Sequence, residues 1–249
     1  METTIIAAAL VFVFTTVLTI AGVGAAFIVI PTFYWLGIPL TEAMAIGLLL
    51  NAISMTFASV NYIRYKLVLF RTAVPIIALA IVFSPLGAWS TRFFPKKVLI
   101  LLFVVFLVFA ASMMLFYKPK KKEESPSSVG KELKTGIGLG IGAGYLGGLL
   151  GVGGGNIIVP ALVWLGFDPK KASATTAFIV VFSSLAGFFG HAAMGPINWN
   201  LLSFAAVGSV AGALVGSWLM HRKLDAQQVK KVIGLVLYAI AAKMAWGLL

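Results

Sequence analysis

The sequence predicts an all-α polytopic membrane protein with two inverted-topology repeats, each made of a Gly-broken helix pair followed by three transmembrane helices. Three observations support this fold class: the composition, an internal repeat and the distribution of positive charge. Of the 249 residues, 61% are hydrophobic and only 10% are charged, and the mean hydropathy is +1.05. Soluble domains carry about a quarter charged residues. The composition therefore excludes a soluble globular protein.

The internal repeat divides the chain into two related halves. A shift of 129 positions, from residue 22 to residue 151, aligns Gly-Val-Gly at 22–24 with Gly-Val-Gly at 151–153. The same shift also aligns Pro31 with Pro160, and Trp-Leu-Gly at 35–37 with Trp-Leu-Gly at 164–166. Matched Gly, Pro and Trp residues at one offset indicate a repeat rather than shared apolar composition. The predicted units are a first membrane repeat at 1–117, a polar linker at 118–134 and a second membrane repeat at 135–249.

Each half contains five apolar segments that we predict to be helices. They lie at about 3–21, 25–36, 42–60, 72–91 and 97–116 in the first half, and at about 134–150, 156–167, 172–190, 199–220 and 229–248 in the second. The first segment is expected to be a retained span, because signal peptides begin with positive charge and its one early charged residue is Glu2. The second segment of each half is short: a twelve-residue helix rises about 18 Å, against a hydrocarbon core of roughly 30 Å. The glycine-rich breaks before these short segments are therefore predicted to turn inside the membrane.

The positive charges predict the orientation in the membrane. With a cytoplasmic linker and five segments per half, fifteen of the nineteen Lys and Arg residues fall on the cytoplasmic side, as the positive-inside rule expects. An odd number of segments per half gives the repeats opposite orientations. We therefore expect a multi-pass protein of the cell (inner or plasma) membrane, with linker 118–134 in the cytoplasm and the loop at Gly195 outside. The net charge of +12 is then explained by orientation and anionic lipid, and no nucleic acid partner is expected.

The two glycine-rich breaks are the first candidate site. A helix that begins just after Gly24 or Gly155 exposes unpaired N–H groups and the positive end of its dipole, and both attract an anion. Asn156 adds a side-chain amide. The alternative is that the glycines only let the chain turn or let helices touch. The candidate substrate-binding residues in the breaks are Gly22, Gly24, Gly153, Gly154, Gly155 and Asn156.

Polar residues in the third segments, and one histidine, are the second group of candidates. Such groups cost free energy in lipid unless they find partners inside the helix bundle. The alternative for each Ser or Thr is a hydrogen bond to a carbonyl of its own helix. His191, at the end of its segment, could be structural, relay a proton or contact an anion. These candidates are Asn51, Ser54, Thr175, Thr176, Ser183 and His191, and Ser184 is a further polar residue of the same segment.

Two further patterns limit the chemistry. Gly136, Gly140, Gly144 and Gly148 follow a four-residue spacing, which predicts a smooth helix face for close packing. Every Asp and Glu falls at the end of a predicted segment or in a loop, whereas cation and proton transporters commonly rely on carboxylates inside the membrane. The substrate is therefore predicted to be an anion.

The second half carries a set of motifs: Gly-Val-Gly-Gly-Gly-Asn-Ile-Ile-Val-Pro at 151–160, Leu-Gly-Phe at 165–167, residues 172–176, His191 and Gly-Pro-Ile-Asn-Trp at 195–199. On these motifs the chain resembles the TauE/SafE sulfite exporter family, and the resemblance covers nearly its whole length, including a weaker copy at 22–37 in the first half. It implies transport of sulfur-containing anions such as sulfite, thiosulfate or organosulfonates. The first half departs from the motif, with Ala-Ala-Phe at 25–27 where the second half has Gly-Gly-Asn, so whether both breaks bind substrate is left open.

Together these observations predict an integral membrane transporter of a small anion, plausible substrates being sulfur oxyanions or organosulfonates, that works by alternating access between the repeats. We expect no enzymatic activity, no catalytic or metal-binding residues and no cofactor. The expected partners are the small anionic substrate and the lipid bilayer, and a homo-oligomer is one possible assembly. The alternatives are a transporter of another solute, such as a metal cation, and a membrane scaffold that transports nothing.

Overall fold

The computed structural model describes residues 2–22, 24–35, 37–116 and 129–246, and within these ranges the chain forms ten α-helices and no strand. The first half contains α1 (Glu2–Ile20), α2 (Ala26–Trp35), α3 (Leu40–Arg64), α4 (Phe70–Ser90) and α5 (Lys96–Phe116). The second half contains α6 (Val129–Leu149), α7 (Gly155–Trp164), α8 (Pro169–Ala192), α9 (Trp199–Arg222) and α10 (Ala226–Trp246). The all-α fold and the short second helix of each half are confirmed.

Helix α8 begins earlier than its apolar run. The carboxylate of Asp168 accepts hydrogen bonds from the N–H groups of Lys170, at 3.0 Å, and Lys171, at 3.1 Å. Asp168 therefore caps the helix, and Pro169 occupies its first turn, where proline's missing N–H costs nothing. Helix α6 likewise begins at Val129, inside the segment assigned to the linker. Linker residues 118–128 lie outside the described part of the chain.

Four helical stretches in the described residues are long and apolar enough to cross a membrane: Leu40–Arg64, Phe70–Phe93, Pro169–Ala192 and Trp199–Arg222. These helices differ in how deeply they are buried. Of the apolar stretch in each helix, 72% is buried in α3 and 67% in α8, but only 33% in α4 and 39% in α9. Helices α3 and α8 therefore form the centre of the bundle, and α4 and α9 present large apolar side chains such as Val74 and Val207 at its outer surface.

The two halves exchange their first helices. Helix α1 packs against α9 of the second half, and α6 packs against α4 of the first. A Cβ atom on Gly87 of α4 would overlap the carbonyl of Tyr145, and one on Gly216 of α9 would overlap the carbonyl of Thr16. Both pairs are related by the shift of 129 positions found in the sequence. The sequence repeat is therefore also a repeat of helix contacts.

The glycine face of α6 packs as predicted. A Cβ atom on Gly140 would lie 2.9 Å from the carbonyl oxygen of Ile76, and one on Gly144 would lie 2.7 Å from the Cα atom of Ala80. Gly136 and Gly148 face the same helix, α4. The absence of side chains lets the two backbones approach closely. The prediction of a packing role for this series is confirmed.

Candidate functional site

Both glycine-rich breaks turn through left-handed backbone. The first, between α1 and α2, has φ of +73° at Gly22 and +75° at Gly24. The second, between α6 and α7, has φ of +73°, +72° and +79° at Gly151, Gly153 and Gly154. Glycine adopts this region without the steric penalty that a Cβ atom brings. The helices that follow have ten residues each and rise about 15 Å, so each reaches only part of the way across a bilayer.

Each break touches the third helix of the opposite half. A Cβ atom on Gly22 would lie 2.5 Å from the carbonyl oxygen of Ser173 in α8. A Cβ atom on Gly151 would lie 2.6 Å from Cγ of Met44 in α3. Met44 and Ser173 are equivalent under the repeat. The breaks therefore lie at the boundary between the two halves.

Five buried residues join the breaks to the two central helices, and we call them the central cluster: Gly24, Asn51, Gly153, Ser183 and Ser184. The amide nitrogen of Asn51 donates a hydrogen bond to the hydroxyl of Ser184, at 3.1 Å, across the interface of α3 and α8. The hydroxyl of Ser183 donates to the carbonyl of Gly153, at 2.7 Å. A Cβ atom would overlap Asn51 at Gly24 and Ser184 at Gly153. The cluster therefore has no room for a side chain at either glycine.

The N-terminus of α7 adjoins this cluster and carries polar groups without partners. Gly154 is the N-cap residue and provides no side-chain cap. Within the described residues, the N–H groups of Gly155 and Asn156 have no backbone acceptor. Asn156 is 1% exposed, and neither its side-chain oxygen nor its side-chain nitrogen has a hydrogen-bond partner among the residues that the structure describes. Leaving such a buried group unpaired costs about 1–3 kcal/mol, so these donors suit a polar solute or water.

The remaining candidates divide into satisfied and unsatisfied groups. The hydroxyl of Thr175 accepts the N–H of Leu69, at 3.0 Å, and the hydroxyl of Ser54 donates to the carbonyl of Asn51 in its own helix, at 3.2 Å. These two contacts are structural. Thr176 is buried and its hydroxyl has no partner in the described part of the chain. His191 is bonded through Nε2 to the carbonyl of Gly148, at 2.8 Å.

Three buried hydroxyl residues at the breaks were not among the candidate binding residues. Thr19 lies in the last turn of α1, and Ser173 contacts the first break through its backbone; neither hydroxyl has a partner in the described residues. The sequence indicates Ser184 only as a further polar residue of its segment. The internal repeat does not mark Ser173 or Ser184 as binding residues, because the equivalent positions in the first half are Met44 and Met55, which are not polar.

The carboxylates whose side chains the structure describes lie at helix ends, away from the central cluster. Glu42, in the first turn of α3, accepts the backbone N–H of Asn198, at 2.9 Å. Asp168 caps α8, and Asp225 accepts the N–H of Gln228 at the start of α10. The site therefore offers uncharged donors, and none of these three anionic groups competes with a bound anion.

Comparisons with known proteins agree with the motif in the second half. A family model described as "Sulfite exporter TauE/SafE" matches residues 6–244. The "Probable membrane transporter protein YunE" of Bacillus subtilis (strain 168) is 32% identical over 122 residues, which cover 49% of this chain and 44% of that protein. The "Sulfite exporter TauE/SafE family protein 1" of Arabidopsis thaliana is 30% identical over 137 residues, which cover 49% of this chain and 28% of that protein.

These matches extend over less than half the length of the relatives. No solved structure matches the chain. The family model, by contrast, spans nearly the whole sequence, including both glycine-rich breaks, helices α2 to α9 and most of α1 and α10. The chain therefore belongs to the TauE/SafE sulfite exporter family.

Proposed function

We propose that this protein transports a small anion, of the sulfur oxyanion or organosulfonate class, across the cell membrane. The observation that carries the proposal is the N-terminus of α7, where two backbone N–H groups and the buried side chain of Asn156 have no partner in the part of the chain that the structure describes. The positive end of the helix dipole and convergent N–H donors attract anions, most strongly where water is scarce. The family's name supports a sulfur oxyanion as the substrate, and the name of the Bacillus subtilis relative supports membrane transport.

The donors at this site are suited to reversible binding. A sulfur oxyanion presents several acceptor oxygens, which the N–H groups of Gly155 and Asn156 and the amide of Asn156 can share. The positively charged side chains nearest in sequence, Lys170 and Lys171, lie in the first turn of α8, about three helical turns before the cluster residues Ser183 and Ser184. A transporter must bind its solute firmly enough to select it and weakly enough to release it. Helix dipoles and amides meet both needs without a buried cation.

The repeated contacts support alternating access. Each half gives its first helix to the other half, and each break touches the third helix of the opposite half. If the halves have opposite orientations, exchanging their conformations converts a site open to one side into a site open to the other. We therefore place the substrate between the halves, at the breaks, with the linker in the cytoplasm.

Opposite orientations of the halves can be tested by labelling, because the chain has no native Cys. We expect Ser127→Cys, in the linker, to react with an impermeant thiol reagent only from the cytoplasmic side, and Gly195→Cys only from outside. Gly195 is exposed and a Cβ atom there meets nothing within 4 Å, so the substitution leaves the fold unchanged. Reaction of both from the same side would contradict the inverted arrangement.

Substrate class is tested with purified protein in vesicles. We expect uptake of radiolabelled thiosulfate that sulfite and small organosulfonates inhibit and that divalent metal cations do not. The reason is that the described site contains amide and hydroxyl donors and none of the carboxylates that a divalent cation prefers. Protein-free vesicles provide the control. Uptake of a metal cation would support the alternative carrier, and the absence of any flux would support a scaffold.

A further inference from the structure

The first helix of each half ends in the same hydrogen-bonded turn. The N–H of Gly22 donates to the carbonyl of Thr19, at 2.9 Å, and the N–H of Gly151 donates to the carbonyl of Gly148, at 3.1 Å. Thr19 and Gly148 are equivalent under the shift of 129 positions. The last carbonyls of a helix lack partners within the helix. In each half, the glycine of the break supplies one partner for the same carbonyl.

A side chain from the third helix gives each of these carbonyls a second partner. The hydroxyl of Tyr62, in α3, donates to the carbonyl of Thr19, at 3.0 Å. Nε2 of His191, in α8, lies 2.8 Å from the carbonyl oxygen of Gly148. A carbonyl oxygen only accepts, so Nε2 carries the proton in this contact. Positions 62 and 191 are also related by 129, so a phenol and an imidazole make the same contact in the two halves.

This equivalence is more specific than shared packing. Packing alone requires only a side chain of suitable volume, whereas both halves place a hydrogen-bond donor against the same carbonyl. Several other polar positions of these helices are not repeated: the equivalents of Asn51 and Ser184 are Val180 and Met55, although Ser54 and Ser183 are both serine. Tyr62 is fully buried and His191 is 1% exposed. In a membrane interior, no bulk water could replace either donor.

The two contacts join the breaks to the helices that carry the central cluster. Tyr62 fixes the end of α1 to α3, which provides Asn51, and His191 fixes the end of α6 to α8, which provides Ser183 and Ser184. We propose that Tyr62 and His191 are paired positioning residues that hold the two helix breaks in register with the central cluster. In this role His191 orients the backbone through its N–H and does not carry protons. The effect on substrate rests on the proposed function, but the effect on the breaks does not.

The test compares variants that remove the donor with variants that keep it or remove a donor elsewhere. Tyr62→Phe and His191→Leu remove the donors, and His191→Gln keeps an N–H of similar reach. Tyr238→Phe is the control, because it removes a tyrosine hydroxyl bonded to Ser112, at 2.6 Å, between α5 and α10. Amide hydrogen exchange is measured over peptides spanning residues 20–24 and 148–154, together with the KM for thiosulfate uptake and the melting temperature.

We expect exchange to quicken about tenfold at the first break in Tyr62→Phe and at the second in His191→Leu. His191→Gln and Tyr238→Phe should exchange as the wild type does at both breaks. The KM should rise about tenfold in the two donor-removing variants, with a change in melting temperature no larger than that of Tyr238→Phe.

Unchanged exchange in Tyr62→Phe and His191→Leu would overturn the positioning role. Exchange in His191→Gln as fast as in His191→Leu would overturn it too, since the donor would then be irrelevant. Faster exchange at the expected break, in a protein whose wild type moves no anion, would support the positioning role and overturn the proposed function.

Discussion

Replacing Gly153 with alanine is expected to abolish anion transport while leaving the protein in the membrane. Gly153 has φ of +72°, and a Cβ atom there would overlap the hydroxyl of Ser184 and lie 3.1 Å from the amide nitrogen of Asn51. The left-handed conformation alone costs a residue with a Cβ atom about 1–2 kcal/mol. Because the overlapping atom ends a side chain, the added methyl group displaces Ser184 and breaks its hydrogen bond to Asn51. The measurements are thiosulfate flux in vesicles and the yield of protein in the membrane fraction.

Gly142→Ala is the matched control for this substitution. Gly142 lies inside α6, and a Cβ atom there meets no described atom within 4 Å. Alanine is favoured over glycine by about 1 kcal/mol in a helix interior, so this variant should transport as the wild type does. Wild-type flux in Gly153→Ala would show that the break tolerates a side chain, and the central cluster could then not be part of the site.

Asn156→Leu is expected to weaken anion binding at least tenfold without destabilising the protein. The substitution removes a side-chain donor from the N-terminus of α7, and one lost hydrogen bond to a charged group costs about 1.5–3 kcal/mol. It also removes two buried polar atoms that have no partner in the described residues, so the melting temperature should stay constant or rise. Both quantities can be measured on one preparation, by titration with thiosulfate and by thermal unfolding.

Ser112→Ala should give the opposite pattern. Its hydroxyl is bonded to Tyr238 between α5 and α10, outside the central cluster, so the variant should lose stability and keep its anion affinity. A loss of stability in Asn156→Leu with unchanged affinity would mean that Asn156 is a packing residue.

The helices could be predicted from the sequence because their signals are local. Apolar runs set the number and approximate bounds of the segments, and the glycines at 22–24 and 151–155 marked both breaks. The start of α8 was placed too late, since the apolar run begins after Lys171 while the cap formed by Asp168 and Pro169 lies before it. Capping depends on side-chain hydrogen bonds, which hydropathy does not report.

The partners of the candidate residues could not be predicted. Asn51 and Ser184 are 133 positions apart in the sequence, and they meet because α3 and α8 pack together at the centre of the bundle. Membrane helices are apolar on all sides, so their hydrophobic pattern does not specify which helices are neighbours. For the same reason, the exchange of α1 and α6 between the halves appears only in the structure.

The role of His191 shows what a repeat adds once contacts are known. On its own the residue is compatible with a structural, a proton-relaying or an anion-binding role. Its equivalent is Tyr62, and both side chains contact the carbonyl at the same position of the repeat. The sequence alignment contained this pair, but a tyrosine aligned with a histidine carries no signal until the shared carbonyl is seen.

The central claim is that the N-terminus of α7 binds an anion, and the glycine amides there can report it directly. Protein labelled with ¹⁵N-glycine is titrated with thiosulfate, and the amide signal of Gly155 is assigned by its loss in Gly155→Ala. We predict saturable shifts at Gly155 and its neighbours in the second break, with none at Gly138 or Gly195, where the surroundings are open. Saturable shifts confined to glycines outside the breaks, or no shift at any anion concentration that supports transport, would contradict the account.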